Sequence, residues 1–331
     1  MYRLNIILFT SFVSTIFSTS AKDPLYILED DYNAANFFTE GFGFFSGPDP
    51  THGFVDYTDL NRANDSGLAG IVDGNVYLGV DYKTMSPEAG RASTRLESLK
   101  TYNKGLFIAD IAHMPGGNCG VWPALWTVGS EWPRQGEIDI VEGVNLDRTN
   151  SMTLHSSSDC IVSSGVEAPS SVLKNHNCNS NDAHEGCSTV VSDKNSFGTG
   201  FNTNRGGVYV MEWTSSMIRI WFFTRSHIPD DIFNSHPNPS LWGLPSARFI
   251  GSGCDIDMHF KDHRIIFNTT FCGDWINKVW SSSICAAKAP SCQSYVANNP
   301  RDFEHTYWLI KSLKVYQIKQ PESIIERKFK A

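Results

Sequence analysis

Apolar and polar positions along the chain alternate in short runs, and Gly- and Asn-rich turns separate the runs. Val76-Tyr77-Leu78-Gly79-Val80-Asp81 is short and β-prone, and Leu106 to Ile111 reads as a strand buried on at least one face. Val208 to Trp213, a Thr214-Ser215-Ser216 turn and Ile218 to Phe222 predict a hairpin. Ile265 to Asn268 and Tyr307 to Val315 supply late strands. No long helical period occurs; Asp230 to Phe233, a single helical turn, is the exception. Such a pattern predicts an all-β protein: two packed antiparallel sheets, a jelly-roll β-sandwich. Three stretches carry little periodicity, namely Ser156–Arg205, Ser226–Arg248 and Gly273–Pro300. Long irregular loops on a sandwich are often functional rims, and the first follows His155 directly, where it could wall a cleft.

One predicted strand is unusual. Gly136-Glu137-Ile138-Asp139-Ile140-Val141-Glu142-Gly143 places three carboxylates on a segment otherwise apolar enough to be buried. Burying unpaired carboxylates is costly, so several on one strand call for a use. Regular alternation puts Glu137 and Asp139 on one face and Glu142 on the other. One extra residue in a β-bulge would bring Glu142 round to join them. Two carboxyls flanking a groove are what glycosidases need: a nucleophile or base, and an acid to protonate the leaving oxygen. The bland alternative is a set of acids facing solvent.

The surroundings weigh against that alternative. Trp122 and Trp126 precede the acids in Gly120-Val121-Trp122-Pro123-Ala124-Leu125-Trp126-Thr127, Trp132 follows, and Met152-Thr153-Leu154-His155 lies beyond. Indole faces pack on the C–H face of a pyranose. Trp122, between Val121 and Pro123, is expected in the core instead. From Arg91 to His155 the chain resembles glycoside hydrolase family 16, and within it the fungal-type endo-β-1,3(4)-glucanases. Thr94-Arg95-Leu96, His113-Met114-Pro115, Asn268-Thr269-Thr270-Phe271-Cys272-Gly273-Asp274-Trp275, Asn298-Asn299-Pro300 and Tyr307-Trp308 extend the resemblance over residues 30–317. It implies a substrate cleft across the concave sheet, with Glu137 as nucleophile, Glu142 as general acid/base and Asp139 tuning the charge between them. It further implies that Trp126 and Trp132 stack on glucosyl rings, that Trp275 closes the glycone side, and that Arg95 lies near hydroxyls of the −2 sugar. His155 is implied to contact substrate or the acid/base side. The Trp126–Glu137 spacing is one residue shorter than the family pattern, which bears on the placement of Trp132. Retention of configuration follows if the two glutamates sit about 5–5.5 Å apart.

Residues 1–21 carry Arg3, an apolar stretch from Leu4 to Phe17 and small residues Thr19-Ser20-Ala21, the pattern of a secretory signal. A single catalytic domain is expected over 22–317, and a loosely ordered tail over 318–331. Eight cysteines suit disulfides in a secreted, extracellular protein, with the pairing left open. Asn64-Asp65-Ser66 and Asn268-Thr269-Thr270 are glycosylation acceptors in pattern, at Asn64 and Asn268. A net charge of −8 without a Lys/Arg cluster argues against nucleic acid and for a neutral partner, here β-glucan. No membrane anchor, metal or cofactor is expected, and the protein is expected to be a monomer. Two further functions share the resemblance: a cell-wall glucan transglycosylase, and a non-catalytic β-glucan-binding protein, which usually lacks the acidic pair.

Overall fold

The computed structural model describes residues 26–165, 171–181 and 185–318. The secretory signal at 1–21 and the tail beyond 318 lie outside the described residues. Strand Trp308–Ile318 itself runs one residue past the expected domain boundary.

Two large antiparallel sheets form the fold. The first has, in spatial order, strands Ser171–Leu173, Cys187–Val191, Ser151–His155, Glu137–Glu142, Val121–Val128, Arg264–Phe271, Arg95–Ser98 and Phe42–Phe44. The second is centred on Gly207–Trp213, Gly105–His113 and Trp308–Ile318, and the predicted hairpin pairs Gly207–Trp213 with Met217–Thr224. Alternation along these strands turns Leu125, Ile138, Leu154 and Phe267 of the first sheet toward Ile111, Met211, Ile220 and Leu313 of the second, and all join one apolar core. This is the expected jelly-roll sandwich.

The irregular stretches divide by role. Ser226–Arg248 was expected to shape the rim, but Ile228 and Ile232 pack with Val208, Val210 and Trp221 on the outer face of the second sheet. That segment, with the helical turn Asp230–Phe233 inside it, covers the back of the molecule. Gly273–Pro300 is helical, with helices Gly273–Trp280 and Cys292–Asn298. Their buried residues Ile276, Trp280, Tyr295 and Val296 make a second apolar cluster with Val121 and Phe271. All eight cysteines pair: Cys119 with Cys285, Cys160 with Cys254, Cys178 with Cys187, and Cys272 with Cys292. Cys285 and Cys292 thus tie the helical segment to the sandwich, and Cys178–Cys187 closes a loop beyond His155. No helix among the described residues is long and apolar enough to cross a membrane.

Candidate active site

Strand Glu137–Glu142 pairs with Val121–Val128, setting Glu137 opposite Val128, Asp139 opposite Trp126 and Glu142 opposite Ala124. The register slips between Asp139 and Val141, so Ile140 is the extra residue. The bulge therefore puts all three carboxylates on one face, while Ile138 and Val141 are fully buried in the core beneath. A bulge needs its unpaired backbone groups satisfied. Asn150, fully buried, does this with its side-chain amide: Nδ2 donates to Ile140 O at 2.8 Å, and Oδ1 accepts from Glu142 N at 2.8 Å. Sequence reasoning missed Asn150, because an Asn just before a strand looks like a turn residue.

Glu137 hydrogen-bonds both Asp139 and the indole of Trp132. Trp132 sits in the tight turn before Glu137, which Gln135 braces by accepting from Ser130 Oγ and Glu131 N, both at 3.0 Å. Gly136 ends that turn at φ +77°, and a Cβ there would stand 2.4 Å from His259 O, so the position requires glycine. His155 lies opposite Glu137 on the neighbouring strand. Its Nε2 is 3.3 Å from Asp139 Oδ2, an ion-pair distance, although Oδ2 has no aligned hydrogen-bond donor. Its Nδ1 meets Ser180 Oγ at 2.9 Å.

Trp122 is not a core residue. Its strand's odd-numbered side chains Val121 and Leu125 point inward. Trp122, on the other face, donates from Nε1 to Glu142 Oε1 at 2.9 Å. Trp275, in the first turn of helix Gly273–Trp280, packs edge-on against it with ring centroids 5.5 Å apart. Farther along the same face Trp126 donates to Asn268 Oδ1 at 3.0 Å. The Arg95 guanidinium lies 5.1 Å from the Trp126 ring and pairs with Glu97 at 2.8 Å. Asn268 is thereby removed as a glycan acceptor: it is 7 % exposed and its Nδ2 donates to Tyr57 OH at 2.9 Å. A glycan on that nitrogen is incompatible with this packing. Asn64 is exposed in the short helix Leu60–Asp65. Asp274 pairs with His52 at 2.9 Å on the surface.

Burial raises the pKa of all three carboxyls. Desolvation, then the Asp139 charge, pushes Glu137 up to about 8, while His155 and the Trp132 hydrogen bond pull it back. Desolvation raises Asp139 to about 7. Glu142 is held well above the usual carboxylate range by desolvation and then by Asp139, with the Trp122 hydrogen bond opposing. Groups this close titrate as a set. Glu137, Asp139 and His155 also bring donor atoms within 4.8 Å of one another, the one such group among the described residues. Glu137 and Asp139 are bonded to each other, an arrangement suited to sharing protons.

Two acids and an ordered aromatic wall on a jelly-roll sheet are the equipment of a carbohydrate-active enzyme. The profile of the XgeA-like, catalytic GH16 domain matches residues 42–316, and the chain belongs to glycoside hydrolase family 16. It is 48 % identical over 299 residues to an endo-1,3(4)-beta-glucanase of Arthroderma benhamiae, covering 88 % of this chain and 65 % of that protein. A probable glycosidase of Schizosaccharomyces pombe is 43 % identical, with 90 % of this chain and 71 % of that one covered. Other curated relatives it matches are longer still, and the chain spans 40–48 % of their length. Among solved structures, an elongating GH family 16 beta-1,3-glucosyltransferase superposes with TM-score 0.83 at 42 % identity, covering 88 % of this chain and 100 % of that one. Laminarinase 16A from Phanerochaete chrysosporium, with β-glucans in donor and acceptor sites, gives 0.83 at 39 % identity and the same coverage.

Proposed function

We propose that this chain is a secreted, retaining endo-β-glucanase that hydrolyses β-1,3 and mixed β-1,3/1,4 glucans, with residues 22–317 as one catalytic domain. The bulge at Ile140 carries this reading, because it sets Glu137, Asp139 and Glu142 side by side under an indole-lined face. Glu137 is the nucleophile and attacks the anomeric carbon. Glu142 gives its proton to the leaving glycosidic oxygen, and then takes one from the water that releases the glycosyl-enzyme. An elevated pKa suits Glu142 to hold that proton. His155 and Trp132 both favour the ionised form of Glu137, as a nucleophile requires. Asp139 moves charge off and onto Glu137 through their shared hydrogen bond. Trp126, Trp132 and Trp275 offer faces for glucosyl rings, and Arg95 supports Trp126 with its guanidinium over the ring. Four disulfides and the pattern of residues 1–21 support secretion.

A second reading, glucan transfer, is favoured by the likeness to an elongating β-1,3-glucosyltransferase. One experiment separates them: product analysis on laminarin, lichenan, carboxymethylcellulose and xyloglucan, and on added laminari-oligosaccharides. Shorter oligosaccharides from laminarin and lichenan support hydrolysis. Products longer than the added laminari-oligosaccharides make transfer the main reaction, and no turnover of any substrate leaves a binding protein.

A further inference from the structure

Behind His155, away from the cleft, lies the loop closed by Cys178–Cys187. Ser180 in that loop is fully buried, so it cannot touch substrate. Its backbone N donates to Ser156 O at 2.9 Å, and Ser156 N donates to Cys178 O at 2.8 Å, which pins the loop to the residue after His155. Gly186 closes the other side at φ +59°. A Cβ there would stand 2.6 Å from His155 Nδ1 and 2.4 Å from Leu154 O, so only glycine lets the loop lie on the ring.

We propose that Ser180 is a positioning residue for the reaction: it accepts a hydrogen bond from His155 Nδ1–H and thereby keeps one extra proton on the His155–Asp139 pair beside Glu137. The hydroxyl has one hydrogen, and we assign it to Cys178 O, 3.4 Å away. Its lone pair then faces Nδ1 at 2.9 Å, which must carry a hydrogen. On the far side Nε2 lies 3.3 Å from Asp139 Oδ2, a separation that a proton shared between them would stabilise. With Nδ1–H in place, that pair holds two protons and is net neutral, either as imidazolium and carboxylate or as imidazole and carboxylic acid. If Ser180 donated to Nδ1 instead, the pair would hold one proton and be net negative, and ionising Glu137 next to it would cost more. The charged groups facing His155 are Glu137, Asp139 and, beyond them, Glu142. Among the described residues of the loop it meets the uncharged Ser180 and Gly186.

The inference rests on Glu137 as nucleophile only for its kinetic consequence. In Ser180→Ala the acid limb of kcat/KM should move upward, by on the order of one pH unit. KM for laminarin should change little, and Ser180→Thr should restore the wild-type profile. The ¹⁵N shifts of His155 in the wild-type enzyme should show Nδ1 protonated throughout the active pH range. An unprotonated Nδ1, or an acid limb unmoved in a folded Ser180→Ala enzyme, overturns the proposal. Should both variants misfold, the wild-type ¹⁵N shifts decide alone. They do not depend on the nucleophile assignment, which fails separately if Glu137→Gln stays active.

Discussion

Asn150 offers a sharp test of how the fold makes the site. Its amide is the clasp on the bulge, and truncation to Ala leaves Ile140 O and Glu142 N without their side-chain partner. An unsatisfied buried polar group costs about 1–3 kcal/mol, so Asn150→Ala should lose about 2–6 kcal/mol of stability. The bulge cannot simply flatten, since regular alternation would drive Glu142 toward the core side now filled by Val141. It should persist but loosen. Misplacement of a reacting group by an ångström costs on the order of 10²-fold in rate, so kcat should fall at least about tenfold with KM little changed. Asn150→Asp adds a control with a sign. Its oxygen can still accept from Glu142 N, but an ionised carboxylate cannot donate to Ile140 O. Protonation restores that donor, so toward low pH the Asp variant should gain more stability than the Ala variant does. Thermal melts and laminarin kinetics from pH 4 to pH 8 are the assays. An Asn150→Ala enzyme with wild-type melting temperature and kcat would refute the clasp and, with it, the account of how Glu142 is aimed.

The remaining predictions concern the reacting groups. Glu137→Gln should reduce kcat by on the order of 10³-fold or more, about 4 kcal/mol of barrier, with laminarin still bound; a tenth of wild-type activity would sink the nucleophile assignment. Glu142→Ala should lose activity on polymer yet cleave aryl glucosides with acidic phenols, and added azide should give the β-glucosyl azide; recovery of the α-azide reverses the roles of the two glutamates. Trp122→Phe keeps the ring but removes the donor that lowers Glu142, so the alkaline limb of activity should move to higher pH, and an unmoved limb would show the contact to be incidental. Glu137 and Asp139 bind protons more tightly folded than unfolded, so their contribution to stability is complete below about pH 4 and is lost as pH rises through about 7 and 8. Melting temperature should therefore fall across that window, and Glu137→Gln should flatten the fall; a wild-type curve as flat as the variant's would contradict it.

Much of this was legible in the sequence because chemistry and pattern conflicted there. Three acids on an apolar strand are consistent with burial only if a bulge gathers them, and the bulge is at Ile140. The sandwich was legible for a similar reason, since runs such as Val208 to Trp213 and Ile218 to Phe222 have strand length and strand residues. What failed was whatever depends on register. Trp122 looks like a core residue beside Val121 and Pro123, and only its pairing against Glu142's strand shows which face it takes. Asn268 reads as a sequon until its strand lies beside Val121–Val128 and brings it to Trp126. Ser226–Arg248 lacks periodicity because it covers the back of a sheet with scattered anchors, Ile228 and Ile232, and not with a continuous amphipathic element.

The two glutamates share one design and differ in one respect. Each receives an indole N–H, Glu137 from Trp132 and Glu142 from Trp122. An indole donates and never accepts, so each contact favours ionisation of its own glutamate without supplying a charge. The difference lies behind Glu137, where Asp139 and His155 can add or withdraw a proton; among the described residues the hydrogen bond to the Glu142 carboxyl comes from the indole. A reaction in which one carboxyl must lose and regain negative charge while the other passes a proton to oxygen needs this asymmetry. Trp122 in turn rests against Trp275, which a helix held by Cys272–Cys292 delivers from far along the chain. Glu142 is therefore tied to the aromatic wall, and its charge depends on where that wall stands.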